Sequence, residues 1–301
     1  MSLSSSSPNV VGIYKARLYM SEICSRCGNE VPPPSQLCPH CGEGGRFWNV
    51  LEANEPDECA ALGRRYDRAK KDAHNRNVDA ALQDFEKAVA GSKAVISRYY
   101  SEVLRLASSP NQVYGTFYQL VDAGIRLPEG NQWDILRELA DTVLFPGYKK
   151  EVRFGALSLD GQGMPNWGDC SIVLRERMIA ERTSVFEENS ALFVERHKIK
   201  ISRTPKLPKG YRAIWLERGR LAVAKLGERI DSATTLDKYS RILLAPGAAS
   251  EADDFIEAHI FGPMTVLTVE QVIVIAPQPS KRATIRRAIK SKLEKHKVRV
   301  N

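Results

Sequence analysis

Two Cys-x-x-Cys turns near the start place the strongest constraint on what this chain can fold into. They read Cys24-Ser25-Arg26-Cys27-Gly28 and Cys38-Pro39-His40-Cys41-Gly42, with ten residues between the pairs. Such spacing brings four thiolates to one point, and Zn²⁺ takes four soft ligands in a closed tetrahedron. The glycine after each pair lets the chain turn so that backbone N–H groups face the sulfurs. Between the pairs, Val31-Pro32-Pro33-Pro34 offers no apolar core, so the metal supplies the folding energy. Four thiolates leave no coordination position open, which predicts a structural zinc rather than a catalytic one. His40 is expected to be exposed rather than a ligand. The two other cysteines, Cys59 and Cys170, are isolated, a usage that suits a reducing cytoplasm better than a disulfide scaffold.

The rest of the chain divides by pattern. Residues 1–20 form a polar leader without the apolar stretch of a secretory signal, followed by the zinc-ribbon module at 21–50. Residues 51–146 read as helical. Val78, Ala81, Leu82, Phe85 and Val89 make one apolar stripe, and Val95, Ile96, Tyr99, Tyr100, Val103 and Leu104 make a second. Trp133, Leu136, Ala140 and Val143 make a third, and a heavily charged helix is expected near 62–72. These are core positions, the two tyrosines included. No apolar run is long enough to cross a membrane.

Charge is concentrated at the end of the sequence. Residues 281–301 hold nine of the 44 Lys and Arg but only one of the 36 acids, Glu294, so the net +8 resides there. A basic segment of this density, 280–301, attracts polyanions, nucleic acid above all; the plainer reading is a solvated helix.

Residues 147–279 are strand-rich, with candidates at 152–158, 170–174, 255–261 and 269–275 and a helix at 213–226. Strands and helices do not alternate regularly, which favours an α+β domain. Neither a Gly-x-Gly-x-x-Gly turn nor a P-loop is present, which argues against a dinucleotide-binding Rossmann domain and an NTPase. The informative strand is Asp254-Phe255-Ile256-Glu257-Ala258-His259-Ile260-Phe261-Gly262-Pro263. With a period of two, Phe255, Glu257, His259 and Phe261 share one face. A carboxylate and an imidazole beside two aromatic rings suit the lining of a cleft.

Glu257-Ala258-His259-Ile260-Phe261-Gly262-Pro263 resembles the glutamate-bearing strand of bacterial ADP-ribosyltransferases, among them toxin-antitoxin and antiphage-defence members. Val152-Arg153-Phe154-Gly155 is similar to their first strand, and the stretch from Ile179 to Ser190 to their middle segment. The resemblance covers about Tyr148 to Ile275. It implies a split β-sheet domain behind the zinc ribbon and helical bundle, with NAD as the substrate. By that resemblance Glu257 is the catalytic carboxylate, Arg153 clamps the ribose or pyrophosphate, and Thr183 or Ser184 orients the nicotinamide ribose. Arg182 is a further cofactor-binding candidate, and His259 positions the acceptor. Phe255 stands where protein-modifying members carry a second acid or amide, so the implied target is RNA, DNA or something bound to them, with an antitoxin or chaperone as a possible protein partner. Two other readings stand beside it: a zinc-ribbon adaptor that binds nucleic acid without catalysis, and a nuclease built on Asp253, Asp254, Glu257, Glu187 and Glu188.

Overall fold

The structure, a computed structural model, describes residues 22–31, 37–124, 132–200, 206–276 and 278–301. The expected leader and the prolines at 32–34 lie outside the described residues, as does the side chain of Trp133.

The first cysteine pair lies in the connection of a short antiparallel hairpin, β1 (Glu22–Ile23) and β2 (Glu30–Val31), and the second pair follows it. Helices α1 (Trp48–Ala53), α2 (Pro56–Asn75) and α3 (Asp79–Ala90) follow. Pro56 opens α2 in the first turn, where its missing N–H costs no hydrogen bond. The α3 stripe buries Leu82, Phe85 and Val89, as its spacing predicts.

The next stripe is not a helix. Lys93–Arg98 is a strand, β3, and only Tyr100–Leu106 is helical, as α4. Val95 and Ile96 are buried on opposite faces of β3, a pairing that a helical pattern of neighbouring apolar residues also allows. Beyond it, Tyr99 and Tyr100 are 58% and 40% exposed rather than in the core. Helices α5 (Phe117–Asp122) and α6 (Gln132–Leu144) come next, then β4 (Val152–Ser158), β5 (Cys170–Leu174), α7 (Glu176–Ile179), β6 (Thr183–Phe186), α8 (Ser190–Arg196) and β7 (Arg212–Ile214). The expected helix at 213–226 thus begins as a strand and becomes helical at α9 (Arg218–Leu226). The chain closes with α10 (Leu236–Leu243), β8 (Leu244–Ala245), β9 (Asp254–Phe255), β10 (Glu257–Phe261), β11 (Val269–Val274), α11 (Pro279–Glu294) and β12 (Arg299–Val300).

The fold is α+β. Hydrogen bonding runs through one eight-stranded sheet in the order β12-β11-β5-β3-β4-β10-β6-β7, antiparallel except for the β11–β12 pair. Because β3 lies between β5 and β4, the segment expected to be wholly helical contributes a central strand. One face of the sheet carries the main core: Ile96, Leu157, Ile172, Val185, Ala258 and Ile260 pack beneath α2, α3, α9, α10 and α11. The opposite face is covered at one end by α6 and α8, through Val143, Leu144, Phe193 and Val194 against Val152, Phe186 and Phe261. Next to that cover Val95, Ala156 and Val173 lie buried with Met164, Leu244 and Phe255, and the face opens at a cleft lined by residues of both groups. Among the described residues no helix is long and apolar enough to cross a membrane.

Candidate functional site

The open part of that face floors a cleft of about 370 Å³, within the range of roughly 300–1,000 Å³ usual for small-molecule sites. Its apolar walls include Phe117, Phe154, Trp167 and Phe255, and its polar groups include Ser97, Arg98, Arg137, Asp141 and Glu257.

Glu257 stands on β10 opposite Ala156 of β4, so its side chain shares the cleft face with Phe154, the register partner of His259. Both carboxylate oxygens are engaged. Oε2 accepts from the backbone N–H of Ser190 at 3.0 Å and from His259 Nε2 at 2.9 Å, while Oε1 accepts from the two Nη atoms of Arg137 at 3.3 and 3.5 Å. Burial alone would push this carboxyl up. The Arg137 charge and the hydrogen bonds from His259 and Ser190 outweigh it and hold the group at about 2, ionised across the whole neutral range.

Arg137 extends the network. Its guanidinium lies 3.6 Å from the centre of the Phe154 ring, and its Nε is 3.1 Å from Asp141, one helical turn on. Asp141 accepts in turn from the Tyr118 hydroxyl at 2.9 Å. Burial raises the Asp141 carboxyl, so the acid next to Glu257 on the same arginine is pushed the other way. His259 sits within three rings: Phe145 and Phe154 meet it edge-on and Phe186 stacks on it at 5.5 Å. That cage orients the imidazole on Glu257 and leaves it 3% exposed.

The other sequence-derived candidates are placed differently. Arg153 is among the residues that line the cleft, but it pairs with Ile260, so its side chain leaves the sheet on the face opposite Glu257. There it donates to the carbonyls of Tyr114 and Glu151 and to Gln119 Oε1, and burial lowers it to about 10. Thr183, also opposite Ile260, donates to the Ile179 carbonyl. Ser184 is paired with His259 on the cleft face of the sheet, but its hydroxyl accepts from Asn49 and does not line the cleft. Arg182 is wholly buried and donates to the carbonyls of His40, Met178, Phe261 and Pro263. Of the candidates, then, Glu257 and His259 come together, Ser184 lies one strand away, and the guanidinium groups of Arg153 and Arg182 are engaged elsewhere. Sequence reading missed Arg137, Asp141 and Tyr118. The signal was an i,i+4 Arg–Asp pair bordering the apolar stripe of α6, a pattern that also fits a solvated helix face.

Of the acids proposed for a nuclease, Glu187, Glu188 and Asp254 gather about Lys225, where burial pushes Glu188 up to about 7, but among the described residues no three acids come close enough to hold a metal ion. Asp253 accepts from Trp167 Nε1 and Asn166, Asp254 is paired with Lys225 and Arg229, and Glu187 and Glu188 are paired with Arg65 and Arg196.

The four cysteines form the metal site that their spacing predicts. Their sulfurs lie within 4.8 Å of one another, with Cys24–Cys41 and Cys27–Cys38 each at 3.6 Å. A tetrahedron of Zn–S bonds of about 2.3 Å has edges of about 3.8 Å, so the set fits zinc. Backbone N–H groups of Arg26 and Cys27 face the Cys24 sulfur, and those of His40 and Cys41 face that of Cys38. His40 is not exposed as expected. It is 1% exposed, with Nδ1 2.7 Å from Thr265 Oγ1 and Nε2 3.0 Å from the Glu30 carbonyl. Together with Arg182 it ties the zinc hairpin to the turn that ends β10.

The chain matches no family model and no curated protein at a significant level, so any functional reading rests on this geometry and on the resemblance of the β10 strand.

Proposed function

We propose that the cleft is the site of an NAD-dependent ADP-ribosyltransferase, with Glu257 as its catalytic carboxylate and a nucleic acid, or a target bound to one, as acceptor. The observation that carries this reading is a carboxylate held ionised in an aromatic-walled cleft, on the strand that resembles the family's glutamate strand.

Bound NAD supplies an ADP-ribosyl group whose leaving group is nicotinamide. Breaking the nicotinamide–ribose bond builds positive charge on the ribose, as in glycoside cleavage, and the departing ring takes the bond's electron pair. A fixed anion stabilises that charge, and Glu257 is fixed by hydrogen bonds on both oxygens. The acceptor's nucleophile then forms the new bond to the same carbon and loses its proton to base. The walls also suit the donor: a pyridinium cation is favoured beside the rings of Phe117, Phe154 and Trp167, and Arg98 at the rim is a cation for the pyrophosphate. Arg153 and Thr183, given these roles by resemblance, would have to leave their present partners to serve; Arg137 already stands at the carboxylate.

The test is label transfer from NAD to RNA, DNA or extract proteins. Nicotinamide release by the wild-type chain that Glu257→Gln abolishes, with zinc content unchanged, is the expected result. Equal release by both proteins overturns the assignment.

A further inference from the structure

Helix α11 carries its cations in a way that identifies its role. Ile285, Ile289 and Leu293, four residues apart, are each 3% exposed or less and belong to the main core. The helix therefore has no apolar stripe left to insert into a lipid surface. Arg282, Arg286 and Lys290 follow one another along one flank at about 6 Å per step, and Arg287 stands beside them. All are exposed, and Arg286, Arg287, Lys292 and Lys295 pair with no acid among the described residues.

The start of this helix adjoins the mouth of the cleft. Lys281 Nζ is 2.7 Å from Asp169, which immediately precedes Cys170, the register partner of Arg98 on β3. Gly168 lies against the Arg98 backbone, and Trp167 and Arg98 both line the cleft. After Arg98 come the exposed rings of Tyr99 and Tyr100, which lie close enough to Lys281 to act on its charge. Cations in file and exposed aromatic rings are the two parts of a surface on which single-stranded bases stack while the backbone is neutralised.

The geometry points to a track for single-stranded nucleic acid running along the cationic flank of α11, over Tyr99 and Tyr100, to the cleft mouth at Arg98 and Trp167. That the strand is also the acceptor rests on the transferase reading; that it binds does not. The test is fluorescence anisotropy, without NAD, of the full chain with a labelled single-stranded oligonucleotide, with the matched duplex, and with phosphatidylserine vesicles. The strand is expected to bind more tightly than the duplex and the vesicles, with an affinity that falls steeply with salt. Arg286→Glu with Arg287→Glu should weaken it at least about tenfold and flatten the salt slope. Tyr99→Ala and Tyr100→Ala should each weaken it at least about fivefold, while Tyr99→Phe and Tyr100→Phe retain it. Glu257→Gln should bind as wild type does, so a failed transferase reading leaves this result standing. Equal affinity for strand and duplex with no effect of the tyrosines, preference for the vesicles, or no binding at all overturns the proposal.

Discussion

The His40 ring, inside the second cysteine pair, is held 2.7 Å from the hydroxyl of Thr265, which lies in the turn beyond β10. Thr268 returns the contact by donating to the His40 carbonyl at 2.7 Å, and Arg182 donates to that same carbonyl and to those of Phe261 and Pro263. A hairpin that the metal folds is thereby part of the packing that ends the glutamate strand. Zinc removal should act on the main domain. A chelator, or Cys41→Ser, is expected to lower the principal thermal transition by about 2–4 °C, as a loss of one or two kcal/mol does for a domain of this size. Calorimetry with and without chelator decides it: an unchanged main transition would mean that the hairpin is energetically independent.

Glu257 makes the stability of the chain depend on acid. Its carboxyl is lowered from 4.5 to about 2 in the fold, because Arg137 and its hydrogen-bond donors outweigh burial. A depressed carboxyl contributes stability that is complete above the unfolded value and is lost as the pH falls through the folded one. The window is therefore from about pH 5 down to about pH 2, and the contribution is on the order of 3 kcal/mol. Asp141 is raised by burial and acts with the opposite sign, so the net dependence is smaller. Urea midpoints for the wild type and Glu257→Gln, taken from pH 6 to pH 3, should converge as the pH falls. Parallel curves would show that the carboxyl is not held ionised.

Arg137 neutralises two buried acids at once, so removing it is expected to cost more than removing either. Arg137→Met leaves Glu257 and Asp141 without their shared cation and should cost about 3–5 kcal/mol, the usual penalty for a buried charge stripped of its partner. Adding Glu257→Gln to that variant should recover part of the loss, since the second charge is then absent. Denaturant unfolding of the two single variants and the double variant measures this coupling. Strict additivity would mean that the 3.3 Å contact contributes nothing.

How much of this was legible beforehand varies residue by residue. The zinc ligands were, because metal geometry admits few spacings and two Cys-x-x-Cys turns satisfy it. The common face of Glu257 and His259 was as well, because strand periodicity fixes it. The helix-to-strand error over 95–98 has a physical cause: Val95 and Ile96 are buried on opposite faces of a sheet, and adjacent apolar residues are equally compatible with a broad helical stripe. His40 was misplaced because its burial depends on Thr265, 225 positions away. Arg137 was missed for a similar reason: nothing local distinguishes an arginine facing a cleft from one facing water. Arg153 was given its role by resemblance to the family's first strand; it does line the cleft, but its guanidinium is directed by the pairing with Ile260, a register no single sequence states.

Gly168 provides a test of the cleft rim itself. Its φ of +146° disfavours a side chain, and a Cβ there would stand 2.2 Å from the Arg98 carbonyl carbon and 2.5 Å from its oxygen. Backbone cannot move aside as the end of a flexible side chain can, so Gly168→Ala must displace either β3 or the turn carrying Trp167. Gly147 supplies the control, with φ +83° but nothing within 4 Å of its Cβ. Gly147→Ala should cost about 1–2 kcal/mol of backbone strain alone. The cost of Gly168→Ala should exceed that clearly, and this variant should also weaken any ligand bound in the cleft, since Trp167 and Arg98 line it together. Urea unfolding gives the first comparison and NAD binding by calorimetry the second. If the two variants unfold alike and bind alike, the close approach of this turn to β3 does not shape the cleft.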